Sequence, residues 1–205
     1  HALRRGVRFF DTAPLYGNGR SEERLGIALR GVPRDSYILN AKVGIKFGND
    51  DGSFAYDFSS DGIRRSLELS LQRLRVERID ILYLHEPQGF AREVIEEALP
   101  LLVQLQKEGV ISAIGTGVNR WQISEPLLHY VDCVLLAGRY TLLEQDGLQF
   151  LQRQHRAPCP ALVGQSAQRR HPPPNARFFG PVQPAHAGVD RRSRNPDPYR
   201  PIRNG

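Results

Sequence analysis

The sequence predicts a parallel α/β fold, and three observations predict it. Five apolar runs recur in the first 150 residues, at 7–10, 37–43, 79–85, 111–118 and 131–137. Segments with apolar residues at helical spacing lie between them. The runs are continuous rather than alternating, as in strands covered on both faces. A barrel and a doubly wound sheet both satisfy this order. The doubly wound layout would show a glycine fingerprint directly after a strand. Only Gly115-Thr116-Gly117 approaches one, and it lacks the rest of the pattern.

Taken in order, Ala2-Leu3-Arg4-Arg5-Gly6 reads as the last turn of a helix, with Gly6 as its left-handed cap. The first strand follows and ends in Asp11. It runs into Thr12-Ala13-Pro14-Leu15-Tyr16-Gly17, where apolar text turns abruptly polar. Ser21 is the expected N-cap of the first full helix, which Gly31 closes. The second strand carries Lys42 at its end. Residues 44–60 read as a loop, with Phe54, Tyr56 and Phe58 at alternate positions, either pinning the loop or walling a pocket. Ile63, Leu67, Leu71 and Leu74 mark a helix over 61–74. The third strand ends in His85-Glu86-Pro87, and a helix over 93–108 follows, stopped by Gly109. After the fourth strand, residues 121–129 read as a short helix. After the fifth, Gly138-Arg139-Tyr140 leads to a helix over 145–154.

Bulk composition narrows the function classes. The chain has 205 residues, 40% hydrophobic and 24% charged, enough for one sizeable core. It holds no apolar run long enough for a membrane span and opens on no secretory leader. It begins at His1 and contains no methionine, so an internal fragment is expected. The two cysteines, Cys133 and Cys159, have no metal spacing and prescribe no disulfide framework; a reducing, cytoplasmic setting and no metal site are expected. The net charge of +6 divides unevenly. Residues 151–205 hold ten arginines, no lysine and two aspartates, whereas residues 1–150 are slightly acidic. Ten of the 15 prolines also fall in that tail, and hydrophobic periodicity stops there. Residues 155–205 therefore read as a disordered or irregular tail following a folded unit over 1–154. Its arginines read as a solvated charge run, with phosphate contact as the alternative. No nucleic-acid or membrane partner is expected.

The strand ends carry the candidate chemistry. In a parallel barrel or sheet all such ends open on one face, which would gather Asp11, Tyr16, Lys42 and His85. A tyrosine is a weak acid near neutral pH, and a lysine beside it favours the phenolate. An aspartate fixes the lysine. A histidine can hydrogen-bond a carbonyl oxygen and turn it towards the tyrosine. Together these are acid–base parts for interconverting a carbonyl and an alcohol, with the hydride supplied by a cofactor. The alternative gives each residue a structural role: Lys42 in an ion pair with Asp11, His85 buried or capping, in a non-catalytic α/β binding module.

These residues carry a resemblance. Over residues 2–154 the chain resembles the aldo-keto reductases, in Phe10-Asp11-Thr12-Ala13-Pro14-Leu15-Tyr16-Gly17, Ala41-Lys42-Val43 and Leu84-His85. The resemblance implies a (β/α)8 TIM barrel and an NADP or NAD cofactor. It implies a catalytic tetrad of Asp11, Tyr16, Lys42 and His85, with Tyr16 exchanging the proton. It further implies that Asn119 holds the nicotinamide carboxamide and that Tyr140 and Asp11 line the cofactor site. Arg78-Ile79-Asp80-Ile81 and Leu136-Ala137-Gly138-Arg139-Tyr140-Thr141-Leu142-Leu143 are similar to the branch that oxidises sugars at C1, such as L-fucose and D-threo-aldose dehydrogenases, and to pyridoxal dehydrogenases. The implied substrate is a small sugar or aldehyde.

The chain also departs from that pattern. Ala137 stands where many relatives carry a glutamine, and residues after 154 match nothing in the family, as a frame-shifted stretch would. With about five strands, the expected fold is an incomplete barrel with an open edge. Weak cofactor binding, or an inactive fragment, is the corresponding expectation.

Overall fold

In the computed structural model, residues 1–47, 54–155 and 160–164 are described. Six parallel strands form one sheet: β1 (Phe9–Asp11), β2 (Ile38–Val43), β5 (Ile79–His85), β6 (Ile111–Val118), β7 (Cys133–Ala137) and β8 (Ala161–Gly164). They lie side by side in chain order, β1-β2-β5-β6-β7-β8. The order never reverses, so the sheet has no switch point of the doubly wound kind. It is the curled half of a (β/α)8 barrel. β8 is one strand more than the five read from the sequence. It lies within the stretch expected to be irregular, and it pairs in register with β7 from Val134↔Ala161 to Ala137↔Gly164. The rest of the tail lies outside the described residues.

Strand parity sets the two faces. Outward-facing Leu39, Ala41, Val43, Leu82, Leu84, Ile114, Val134 and Leu136 join the helices in the main core. Inward-facing Tyr83, Cys133 and Leu135 pack with Ile81 and Leu162 in a second cluster. The helical layer comprises α1 (Arg20–Ala28), α2 (Ser60–Leu74), a segmented helix α3 from Ala91 to Lys107, and α4 (Leu148–His155). α2 begins at Ser59, whose hydroxyl accepts from the Gly62 N–H at 3.1 Å. α1 crosses α2 closely at Gly26, where a Cβ would lie 2.6 Å from the Arg73 carbonyl oxygen. Arg73 also bonds fully buried Glu22 at 2.6 Å across the same contact.

Four local readings are corrected. Residues 44–60 are not simply a loop: β3 (Ile45–Phe47) and β4 (Phe54–Tyr56) form an antiparallel pair. Its aromatics do pin it, since Tyr56 stacks on Phe58 and both meet Phe90 at 5.2–5.3 Å between ring centroids. Ser21 does not cap α1. The cap is Gly19, in a left-handed conformation, and the Ser21 hydroxyl pairs with that of Thr12 at 2.8 Å. The helix over 93–108 contains a π turn at Val94–Ala98. Pro100 lacks an N–H and its ring would crowd a carbonyl one turn back, and the wider turn ends just before it. Residues 121–129 form two 3-10 turns, Trp121–Ile123 and Glu125–Leu127, with Pro126 in the second.

Candidate active site

The register places the site residues. Asp11 ends β1 opposite Asn40, and Lys42 lies two residues further along β2, opposite Tyr83. His85 lies two residues beyond Tyr83 and ends β5 opposite Gly117. Asp11, Lys42 and His85 therefore share the inward face, each a step further towards the carboxyl edge. This stagger is the tilt that curling a parallel sheet imposes.

Tyr16 reaches the same place through a tight turn. Its N–H donates to the Ala13 carbonyl at 3.0 Å, and the Gly19 N–H to that of Pro14 at 2.7 Å. Gly17, Asn18 and Gly19 all have left-handed backbones, with φ of 63°, 52° and 83°. Residues of this type adopt that region at least cost.

Lys42 is the centre of the arrangement. Its side chain is 3% exposed. Its Nζ donates to Asp11 Oδ2 at 2.6 Å and to the Thr12 carbonyl at 2.9 Å. The same nitrogen lies 4.9 Å from the centroid of the Tyr16 ring and 5.9 Å from that of Tyr83. The Tyr16 and His85 rings meet edge to face, with centroids 6.2 Å apart. All four residues thus converge on one point.

Burial sets the charges. Desolvation pushes the Asp11 carboxyl up, and the Lys42 ammonium beside it pulls it back down. A quarter of the Asp11 side chain still reaches solvent. His85 is driven from 6.5 to about 3, first by burial and then by the Lys42 charge. It is therefore a neutral imidazole at physiological pH, with one nitrogen able to donate and the other to accept. Its neighbour Glu86 is raised by burial, opposed by the Asn119 N–H and by Arg120.

Asn119 directly follows β6, and exposed Tyr140 lies in the turn after β7, on the same carboxyl edge. Among the described residues nothing hydrogen-bonds the Asn119 side-chain amide, whereas both its backbone groups are engaged. Its N–H donates to Glu86 Oε1 at 2.6 Å, and its carbonyl accepts from Arg139 Nε at 2.9 Å. An exposed carboxamide offers both a donor and an acceptor, and could pair with the amide end of a nicotinamide.

Comparison with known proteins identifies the family. A family model described as the aldo/keto reductase family matches residues 1–155. The chain belongs to the aldo/keto reductase family. It is 38% identical over 164 residues to a D-threo-aldose 1-dehydrogenase of Pseudomonas sp, covering 68% of this chain and 49% of that protein. An aldo-keto reductase from Bacillus halodurans, solved in its holo form, superposes with a TM-score of 0.71 at 27% identity, over 79% of this chain and 53% of that one. An aldo-keto reductase from Klebsiella pneumoniae, solved in complex with NADPH, superposes with a TM-score of 0.59 at 25% identity, over 79% and 54%. The chain thus spans between about a third and a half of the length of the curated relatives it matches. Among the described residues no group of His, Cys, Asp and Glu could hold a metal ion, and no helix is long and apolar enough to cross a membrane.

Sequence reasoning missed three residues of this reductase framework. Glu86 and Arg139 contact Asn119, and nothing in their residue types announced it. Asn40 is fully buried beneath Lys42 with both amide atoms unpaired among the described residues. Its signal was visible: a carboxamide inside an otherwise apolar run.

Proposed function

We propose that this chain carries the acid–base site of a nicotinamide-dependent oxidoreductase that interconverts a carbonyl and an alcohol. The favoured substrate is an aldose whose C1 hemiacetal is oxidised to a lactone, a reading supported by the D-threo-aldose dehydrogenase relative. The observation that carries the proposal is the position of Lys42. One ammonium is bonded to Asp11 at 2.6 Å and faces the Tyr16 ring at 4.9 Å, with His85 against that ring.

A nicotinamide cofactor, NADP or NAD, supplies or accepts the hydride when bound. Asn119 would hold its carboxamide, with Tyr140 and Asp11 at the rim. In the reducing direction the Tyr16 hydroxyl gives its proton to the carbonyl oxygen. In the oxidising direction it takes the proton from the substrate hydroxyl. The Lys42 cation stabilises negative charge on the phenol oxygen while the proton is away. Asp11 keeps that cation in place and offsets its charge. Neutral His85 donates to the substrate oxygen and turns it towards Tyr16. A protonated imidazole beside Lys42 would add a second buried cation, and the depressed His85 pKa prevents this.

The test is an assay of the full chain with an aldose and aldehyde panel, NADPH and NADH, following nicotinamide absorbance. Tyr16→Phe removes the exchangeable proton, and turnover falls about 100-fold or more. Equal turnover by wild type and Tyr16→Phe, or none by wild type with either cofactor, would overturn the proposal.

A further inference from the structure

We infer that Glu86 and Arg139 are positioning residues which grip the two ends of Asn119 and thereby aim its carboxamide. This rests on the reading above that Asn119 holds the nicotinamide amide. Three strand-end loops meet at this point. Glu86 follows β5, Asn119 follows β6 and Arg139 follows β7. Glu86 Oε1 accepts from the Asn119 N–H at 2.6 Å, and Arg139 Nε donates to the Asn119 carbonyl at 2.9 Å. Arg139 is itself steadied by Glu144, 3.4 Å away. A second tie, from Arg120 to Gln88 at 2.6 Å, joins the first two loops again.

The backbone at Glu86 strengthens the inference. Its φ is 51°, a left-handed conformation that costs a side-chain-bearing residue free energy and glycine almost none. Its N–H is tied to the Gly117 carbonyl at 2.9 Å, so this geometry is held from the backbone as well. A glycine would make that turn at less cost. What glutamate adds is the carboxylate, and the carboxylate goes to Asn119. With its main chain held at both ends, Asn119 keeps its side-chain amide for a ligand. Loop stapling alone would leave the cofactor affinity of a folded variant unchanged.

Wild type, Glu86→Gly, Glu86→Gln and Arg139→Gln are compared as full chains. The backbone amide signal of Asn119 is followed by NMR. NADPH and NADH affinities are read from the fluorescence of Trp121, the single tryptophan. Glu86→Gly removes the carboxylate while suiting the left-handed backbone, so the fold is retained. Its Asn119 amide signal moves upfield, and its affinity for the cofactor falls about tenfold, as loss of one charge-assisted hydrogen bond implies. Glu86→Gln retains an uncharged acceptor and falls between the two. Arg139→Gln weakens binding in the same direction. An unmoved Asn119 signal in Glu86→Gly overturns the inference, as does a Gln variant no better than the Gly variant. Equal affinities in all four chains overturn the positioning role alone. A wild type that binds neither cofactor overturns the nicotinamide reading together with it.

Discussion

Acidification should reveal His85. In the unfolded chain the imidazole titrates near 6.5, and in the fold at about 3. Between those values the unfolded state binds a proton that the folded state refuses. Stability is therefore lost as pH falls through this window, at about 1.4 kcal/mol per unit for one proton. At pH ~5, about one and a half units below the unfolded value, His85 alone has cost about 2 kcal/mol relative to neutral pH. The raised carboxyls of Asp11, Glu22 and Glu86 act in the opposite sense, because folding favours their protonated forms. Their contribution is common to wild type and His85→Gln, and it cancels when the two are compared. Urea melts of both proteins should be run at neutral pH and at pH ~5. The stability difference between them should shift by about 2 kcal/mol in favour of the glutamine variant at the lower pH. Parallel pH dependences would show that His85 is not held neutral. The account of it as an uncharged donor to the substrate oxygen would then fail.

Other substitutions test the framework around the site. Lys42→Met leaves the Asp11 carboxylate without its cation. Loss of one partner of a fully buried pair costs about 3–5 kcal/mol, and partial exposure of Asp11 reduces this to about 2 kcal/mol; a melt unchanged from wild type would refute the central role of the pair. Gly26→Ala drives a methyl group to 2.6 Å from the Arg73 carbonyl oxygen, which α1 and α2 relieve only by moving apart. The expected loss is about 1–3 kcal/mol in urea unfolding, and a neutral result would show that the helices are not closely apposed. Asn40→Leu removes two buried amide atoms that are unpaired among the described residues, at similar volume, and should gain about 1 kcal/mol. A loss instead would show that the amide has a partner, such as an internal water.

How much of this was legible follows from what each residue contacts. The long central strands are covered on both faces, and their continuous apolar text showed them directly. The candidate site residues were legible for a related reason: Asp11, Lys42 and His85 are polar groups where apolar runs end, Tyr16 lies in the loop that follows the first, and parallel strands bring such ends to one edge. Parity then decides which of them meet, since Asp11, Lys42 and His85 share a face only because the register advances by two residues from strand to strand. The short elements were not legible. β8 and the β3–β4 pair have three or four residues each, too few to show a period, and their pairing partners are set by the sheet or by packed rings. The N-cap assignment at Ser21 failed because Thr12, nine residues away, takes that hydroxyl. Glu86 and Arg139 failed for the same kind of reason. Their partner is the main chain of Asn119, and a main-chain group leaves no mark in the sequence. The residues proposed for acid–base work were thus readable because their chemistry is in their side chains. Those that hold Asn119 were hidden because they act on its backbone.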